Sequence, residues 1–406
     1  MKQAIDGRRL FSLAAVGLIA MALATSCREA APAALAATSS LDAVPLAVLS
    51  HRAEPLFQVV GGLIAGDILI IAERSRGEIH FFSRRGAHLR TVGRLGNGPG
   101  EFTHLAWIQR RGSLLLAFDQ SERRLSEFTV AGDFVRATTV RPPEGEAIRA
   151  VGVLPNGMLL ARSQLLIPPP VAPRLVTRRS SLMRYAFTTE ASAERIGEFA
   201  EGEKYEEPRP RGGRSVAELP FGLQSDIAVT ADGIAMVELD SLLRILDASG
   251  KVQTVRSLAL SSRADPVTAA DKAAARRIFT EDAPPRLKWG EVFDRMPIPR
   301  TRPQLGWAGP HSVRLLAPTT SGHLWITEFG GINDSHVSWS VLDARGKQLG
   351  RVTSVQEATV LDAVEDLVLL LLWDVDGVES VQLRRVTPAL GGSLSHSAGG
   401  SGKGDR

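Results

Sequence analysis

Short segments that are almost wholly apolar recur along the chain, and a turn residue introduces each of them. Six such segments begin at a glycine or an aspartate, and each has about the length of one β-strand. The segments are 66–73, 112–119, 157–162, 233–238, 322–328 and 366–373. A continuous apolar run of this length predicts a strand that is buried on both faces, like the inner strands between packed sheets.

A second turn, which ends in glycine, follows most of these segments. The clear examples end at Gly86, Gly132, Gly250 and Gly346. Glycine adopts the positive φ that tight hairpin turns require. The residues that come next, such as 88–94 and 133–140, mix polar and apolar side chains. This mixture predicts outer strands that are half exposed to water.

Four short antiparallel strands per unit, with units spaced 44 to 46 residues apart where no insertion intervenes, are typical of β-propeller blades. Six copies therefore predict an all-β fold, a six-bladed β-propeller of four-stranded antiparallel blades. The sixth unit supplies only three strands of its own, while an apolar segment near residues 44–50 is unassigned. We predict that this N-terminal strand closes the ring as the outer strand of blade six.

Two insertions interrupt the period. A proline-rich stretch, residues 166–173, predicts an exposed loop that lengthens a hairpin of the third blade. The longer insertion, residues 261–310, contains an alanine-rich segment that follows Thr268. Because threonine is a good N-cap, with Asp271 in the first turn, this segment predicts a helix from residue 269 to about residue 280. Such an insertion would cross one rim of the disc and could cover a central channel.

The N-terminus predicts an export signal. Basic residues precede an apolar stretch, residues 10–23, which is too short to remain as a membrane span. Cys27, the single cysteine, follows small residues directly behind this stretch, a pattern that resembles a bacterial lipoprotein signal. The resemblance implies cleavage before Cys27 and a lipid anchor on its thiol. An ordinary secretory signal is the alternative, and both predict export.

These features divide the chain into four parts. They are a signal peptide at 1–26, a flexible tether at 27–42, the propeller at 43–388 with its insertion at 261–310, and a disordered tail rich in glycine and serine at 389–406. Arg28 follows the cysteine where an aspartate would favour retention in the inner membrane. The anchored protein is therefore expected to be periplasmic or at the cell surface, and the outer membrane is favoured if the cell is Gram-negative.

The connection between the first two units carries the sharpest motif. It contains the run Gly98-Pro99-Gly100-Glu101-Phe102, which precedes an apolar strand that ends in an acidic residue. This combination resembles NHL-type repeats, and the complete layout is similar to the bacterial six-bladed β-propeller lipoproteins over about residues 40–388. Thr103 and His104 stand where NHL repeats generally have proline, and the other units lack the motif. The resemblance therefore predicts the architecture of the protein and says much less about its chemistry.

Composition narrows the choice of partners. The net charge is +4, of which residues 1–26 carry +2, so the mature chain is nearly neutral. Its arginine pairs are scattered and are not interleaved with aromatic residues, which argues against a nucleic-acid partner. Apolar residues make up 44% of the chain, enough for a large core. With Cys27 lipidated, the fold must be stable without disulfides.

Catalytic motifs are absent from the sequence: we find no phosphate-binding loop, paired-cysteine site, zinc-protease histidine pair or nucleophile elbow. Acidic residues do end many of the apolar segments, namely Glu73, Asp119, Glu238, Asp240 and Glu328. A ring of carboxylates could hold calcium or act as a general base in a channel. Alternatively, each carboxylate accepts amide N–H groups in its own hairpin, and the repetition favours this scaffolding role. Asp374-Val-Asp376-Gly377 is interpreted as a hairpin turn.

Five residues are candidates for a binding surface on the rim or in the channel. They are Arg94, Glu101, His104, Trp307 and His311. His104 follows the Gly-Pro-Gly-Glu-Phe turn and His311 precedes the first strand of the fifth blade, so both can approach the same rim, although hydrogen-bonded loop histidines are the commoner case. Trp307 lies near glycines and could line a pocket. For Glu101 the alternative is that its carboxylate caps amides of the glycine-rich turn.

Two functions remain open. The first is a lipid-anchored binding or scaffold module of the cell envelope, without a cofactor, for a peptide, glycan or protein partner. The alternative is a metal-dependent hydrolase, lactonase or lyase with calcium or zinc in the central channel. No catalytic residue is assigned, and the lack of a catalytic motif favours the binding module.

Overall fold

The computed structural model describes residues 38–50, 55–164, 170–188, 193–209, 212–239, 241–260, 265–281, 289–305, 314–331, 336–374 and 376–387. Within these ranges the fold is all-β, with 26 strands and two helices. The first two strands are β1 (Thr38–Leu41) and β2 (Ala47–Leu49). The helices of the described part are too short or too polar to cross a membrane.

The strands that follow form antiparallel meanders, in which each strand pairs with the next along the chain. Meander 1 contains β3 (Val59–Ala65), β4 (Ile68–Glu73), β5 (Glu78–Ser83) and β6 (His88–Val92). Meander 2 contains β7 (Leu105–Arg111), β8 (Leu114–Asp119), β9 (Arg124–Thr129) and β10 (Phe134–Thr139). Meander 3 contains β11 (Ala147–Val153), β12 (Leu159–Gln164), β13 (Arg174–Tyr185), β14 (Ala193–Pro208) and β15 (Arg214–Glu218).

Three further meanders complete the described chain. Meander 4 contains β16 (Asp226–Val229), β17 (Gly233–Glu238), β18 (Leu242–Asp247) and β19 (Val252–Ser257). Meander 5 contains β20 (Leu316–Pro318), β21 (Leu324–Glu328), β22 (Val337–Leu342) and β23 (Gln348–Ser354). Meander 6 contains β24 (Ala358–Val364), β25 (Leu367–Trp373) and β26 (Glu379–Thr387).

The six apolar segments of the sequence form the second strand of each meander. Residues of β4, β8, β17 and β25 are buried along almost their whole length, because each strand is paired on both edges and packed on both faces. The four hairpin glycines have positive φ, from 77° at Gly346 to 92° at Gly132. The outer strands β6, β10 and β19 are largely exposed, as their mixed sequences predict.

The first strands of the six meanders contact one another in a closed circuit. Strand β3 contacts β7, β7 contacts β11, β11 contacts β16, β16 contacts β20, β20 contacts β24, and β24 contacts β3. Side chains between neighbouring meanders form apolar clusters; one of them joins Leu69 and Phe82 of meander 1 to Leu369 of meander 6. The circuit places the first strand of every meander next to a shared interior.

The prediction of six separate four-stranded sheets is wrong in its layout. Meander 3 has five strands, and meanders 5 and 6 belong to one nine-stranded sheet. Strand β1 joins them, because it lies parallel to β23 and antiparallel to β26. The sequence analysis placed residues 38–41 in the tether, since Thr-Ser-Ser-Leu is too short and polar to give a strand signal.

Strand β2 occupies the edge predicted for the N-terminal apolar segment. It pairs antiparallel with β26, with Ala47 opposite Leu383 and Leu49 opposite Val381. Ala47 and Leu49 are buried in the cluster that joins meanders 6 and 1. The first described strands of the chain therefore complete the sheet formed by its last ones.

The long insertion contains helix α1 (Ala269–Glu281) and helix α2 (Trp289–Arg295). Thr268 caps α1 as predicted: its Oγ1 accepts from the Asp271 amide at 3.1 Å, and Asp271 Oδ2 accepts from the Thr268 amide at 2.8 Å. Ala275 and Phe293 pack with Phe221 and Phe329. The insertion therefore packs onto residues that follow β15 and β21.

Candidate functional site

Two adjoining polar cavities lie against the first strands, with volumes of about 620 Å³ and 660 Å³. Both are lined by Arg149, Arg162, Asp226 and Arg314, and the larger one also by Arg74. We call the two together the arginine cavity. Its lining comes from meanders 1, 2, 3 and 4 and from the entry to meander 5, so residues far apart in the sequence meet here.

The arginines reach the cavity from different elements. Arg74 follows the last residue of β4, and Arg314 lies just before β20. Arg149 on β11 and Arg162 on β12 are directly opposite each other in the antiparallel register. Like charges in directly opposite positions destabilise a sheet, so this pair is unfavourable for folding on its own.

Burial and the repulsion between neighbouring arginines both lower the pKa values of Arg74 and Arg162. Burial lowers the pKa of Arg74, and the neighbouring charge of Arg149 lowers it further. Burial also lowers the pKa of Arg162, and the Arg149 charge adds to it, while the carboxylate of Glu201 opposes both effects. The guanidinium groups of Arg74 and Arg162 still stay charged at neutral pH, because the ordinary pKa of arginine is far above 7.

The acidic groups that line the cavity, Asp226, Glu201 and Glu218, are already engaged, and Glu218 pairs with Lys204, which also lines the cavity. Asp226 accepts from the amides of Ile227 at 2.8 Å and Leu316 at 3.1 Å. Burial raises the pKa of Asp226, and these amides and Arg314 oppose the shift. Glu201 accepts from Ser180 and from Arg162, the latter at 3.4 Å.

Positive charge is therefore in excess in the cavity. Within the described ranges, neither Arg149 nor Arg314 forms an ion pair with a carboxylate. Arg162 forms an ion pair with Glu201, but its Nε is buried and has no hydrogen-bond partner among the described residues. Buried charges without full compensation favour the binding of an ion of opposite sign.

Glutamine side chains hold the cavity wall in place. Gln120 Nε2 donates to the carbonyl of Ile148 at 2.8 Å, and Gln120 Oε1 accepts from the amide of Ala150 at 3.0 Å. These two bonds fix the backbone on either side of Arg149. Arg74 Nε donates to the carbonyl of Leu105 at 3.0 Å and so links meanders 1 and 2. The wall is thus fixed by bonds between neighbouring meanders.

The structure does not bring the residues that were predicted to form a binding surface together in one site. His104 lines the arginine cavity. Glu101 lies outside it, where its Oε2 accepts from the Gly98 amide at 2.8 Å and its Oε1 from Arg94 Nε at 2.7 Å. These contacts are those of the capping alternative, and the turn amide together with Arg94 lowers the pKa of Glu101. Cys27, Trp307 and His311 lie outside the described residues.

The carboxylates that end the second strands do not line the arginine cavity, and each is bonded within or beside its own meander. Asp119 accepts from four amides, those of Thr103, His104, Ser121 and Glu122. Glu238 pairs with Arg244 at 3.1 Å, and Glu328 with Arg351 at 3.1 Å. Asp240 lies outside the described residues. Amides of the local turn satisfy only Asp119 as predicted; arginines satisfy the other two.

Sequence reasoning missed Arg74, Arg149, Arg162, Asp226 and Arg314. Each is a charged residue within or beside a strand of otherwise small or apolar character. That contrast was the available signal, because a charged side chain on an inner strand must face a polar interior. The Asp374 turn, by contrast, is as expected: Asp374 Oδ1 accepts from the amides of Asp376 and Val378.

Comparison with known proteins assigns no family. No family model matches the chain, and no curated protein matches it significantly in sequence. Among solved structures, a Bacteroides fragilis protein inferred to be exported is similar over 87% of this chain and 99% of its own, with 11% identity and a TM-score of 0.47.

Two further solved structures are similar to the chain to a lesser degree. Virginiamycin B lyase from Staphylococcus aureus matches over 83% of this chain and 98% of its own, with 10% identity and a TM-score of 0.38. Regucalcin, a calcium-binding protein from Agrobacterium tumefaciens, matches over 87% and 98%, with 11% identity and a TM-score of 0.38.

Proposed function

We propose that the protein is an exported six-bladed β-propeller that binds an anionic ligand in its arginine cavity. The closed circuit of six first strands supports six blades, with β2 as the outer strand of the sixth. Strand β1 then bridges the outer strand of blade five and blade six. The proposal includes anchoring through a lipid on Cys27, on the basis of the N-terminal pattern alone.

The facing pair Arg149 and Arg162 carries the functional proposal. Their opposed register costs folding free energy, yet Gln120 bonds fix the backbone around Arg149. An anion between the two guanidinium groups would turn this repulsion into attraction, and it would find its donors already in place. Arg314 and Arg74 would add charge from other meanders.

The cavity also indicates the class of ligand. Guanidinium groups bind carboxylate and phosphate in bidentate geometry. A volume of about 660 Å³ fits a small molecule or the end of a chain better than a flat protein surface. We therefore propose a ligand with carboxylate or phosphate groups, such as an acidic sugar. A divalent cation in this cavity is disfavoured because the arginines would repel it, so we favour binding over the metal-dependent enzyme.

Calorimetric titration with citrate, inorganic phosphate and sulfate at constant ionic strength tests the proposal. We expect one of these anions to bind and the Arg149→Gln variant to bind it at least about tenfold more weakly, as for the loss of one charge-assisted bond. Arg136→Gln is the matched control, because Arg136 is exposed on β10 and pairs with Glu127. Its affinity should equal that of the unaltered protein.

The same variant makes a second, independent prediction. Removal of Arg149 relieves a cross-strand repulsion, so the ligand-free Arg149→Gln protein should be more stable by about 0.2–1 kcal/mol. Chemical denaturation measures this difference. Absence of binding to all three anions, or equal affinities for the variant and the unaltered protein, would contradict an anion site at this pair.

A further inference from the structure

Three potential metal ligands meet at the β4–β5 turn, outside the arginine cavity. Glu73 is the last residue of β4, and it lies opposite Glu78, the first residue of β5. His80 lies two residues further along β5, on the same face as Glu78. One ligand atom from each of the three lies within 4.8 Å of the others.

The distances between these atoms match those of a tetrahedral metal site. His80 Nε2 lies 3.1 Å from Glu73 Oε2 and 3.5 Å from Glu78 Oε2. Nitrogen and oxygen ligands lie about 2.0–2.1 Å from zinc, so tetrahedral geometry separates two of them by about 3.3 Å. Both separations from His80 therefore fit such a site, and the two carboxylate oxygens lie within 4.8 Å of each other.

The glutamates that end the second strands of meanders 4 and 5 have different partners from Glu73. The position that His80 occupies relative to Glu73 is taken by Arg244 relative to Glu238, and the pair forms an ion bridge. In meander 5, Arg351 neutralises the equivalent Glu328. In meander 1 a histidine stands at the register position of Arg244, and Glu78 lies beside it. Arg76 forms an ion pair with Glu73 Oε2 at 3.6 Å, longer than the 3.1 Å pairs of Glu238 and Glu328, and its side chain is 37% exposed.

One atom of the cluster is buried without a hydrogen bond. Glu78 Oε2 has no hydrogen-bond partner among the described residues. A buried carboxylate oxygen without a donor costs free energy, and a bound cation would remove that cost. The Glu78 side chain keeps 24% exposure, whereas those of Glu73 and His80 have none, so an ion could enter from the Glu78 side.

Hydrogen bonds to the other atoms of these side chains orient the ligand atoms. His80 Nδ1 lies 3.0 Å from Thr91 Oγ1, which leaves Nε2 to face the two carboxylates. Ser75 Oγ donates to Glu73 Oε1, so that Oε2 is the oxygen directed at His80. Metal-binding histidines and carboxylates typically have such partners on their other atoms.

We propose that Glu73, Glu78 and His80 form a binding site for a divalent ion of the zinc class, with water as the fourth ligand. An imidazole with two carboxylates suits zinc and its transition-metal neighbours, while calcium and magnesium prefer sites made of oxygen alone. None of these three residues lines the arginine cavity, although Arg74, which does, directly follows Glu73.

Calorimetry with zinc chloride on the full-length protein, purified without a histidine tag and treated with chelator, tests this site. We expect one equivalent to bind, with at least about 100-fold weaker binding in Glu78→Gln and His80→Gln. Glu127→Gln is the matched control, since Glu127 lies on β9, the strand of meander 2 equivalent to β5, and pairs with Arg136. Calcium and magnesium chloride should bind far more weakly than zinc.

Cobalt provides a readout that does not depend on affinity. Cobalt bound to three protein ligands should give the intense visible bands of a tetrahedral site, and Glu78→Gln should lose them. Because Glu78 is partly exposed, this variant tests the proposal even where His80→Gln fails to fold. Zinc that binds Glu78→Gln as tightly as the unaltered protein, or no binding to either, would overturn the assignment.

Discussion

Asp362 is expected to control the stability of the ring, because its carboxylate joins three meanders. It lies on β24 of meander 6 and is 1% exposed. Its Oδ2 accepts from the Ile64 amide of meander 1 at 2.8 Å, and its Oδ1 from the Thr320 amide of meander 5 at 2.6 Å. Thr320 Oγ1 adds a third bond at 2.7 Å. Replacement by alanine removes these three contacts and a fourth, which Oδ1 accepts from the neighbouring Ala363 amide at 2.8 Å.

The cost of Asp362→Ala is worked from the three contacts between meanders. The Ile64 amide is buried, so the loss of its acceptor costs about 1–3 kcal/mol, and the two Thr320 donors, which lie nearer to water, cost about 0.5–1.5 kcal/mol each. Burial raises the pKa of Asp362, so removal of its charge returns part of this cost. We expect a net destabilisation of about 2–4 kcal/mol, or about 3–5 °C in Tm for a fold of roughly 350 residues.

Differential scanning calorimetry measures the shift, and Asp343→Ala is the control. Asp343 also accepts from two amides, those of Arg345 and Lys347, but its hairpin bonds are open to solvent. Water replaces the lost acceptor there, so Tm should fall by less than about 1.5 °C. An Asp362→Ala protein with the Tm of the control would refute the argument that this carboxylate holds the meanders together.

Two further predictions concern local carboxylates and caps. Burial raises the pKa of Asp119, but the amides of Glu122, His104 and Thr103 outweigh burial and hold it below its usual 3.8. Asp119 therefore stabilises the protein above about pH 4 and loses this effect as the pH falls through its folded pKa. Denaturation from about pH 5 to about pH 2 should show that the difference in unfolding free energy between the unaltered protein and Asp119→Asn becomes smaller. A difference that stays constant over this range would contradict the prediction. Thr268→Ala removes the cap of α1 and should cost about 1 kcal/mol, with faster amide exchange at the start of Ala269–Glu281; unchanged exchange would contradict it.

The sequence located the second strands of the meanders with little error, for a physical reason. A strand buried on both faces needs a continuous apolar run, and β4, β8, β17 and β25 show one. Strand β1 has four residues, one of them apolar, and depends on pairing with β23 and β26 at the other end of the chain. Tertiary pairing of this kind leaves no local pattern.

The arginine cavity was harder to predict because it depends on register. Arg149 and Arg162 face each other only through the pairing of β11 with β12, and a bulge between Ala150 and Gly152 interrupts that pairing nearby. A slip of one residue would move a side chain to the other face. Arg314 and Asp226 arrive from other meanders, so spacing in the sequence carries no information about their meeting.

The measurement that tests the central claim most directly is a crystal structure of the protein grown with the anion that binds best in calorimetry. The account predicts electron density for that anion in the arginine cavity, in contact with both Arg149 and Arg162. A well-ordered cavity that contains only water, with the Arg149 guanidinium group turned away from Arg162 or paired with Asp226, would contradict it.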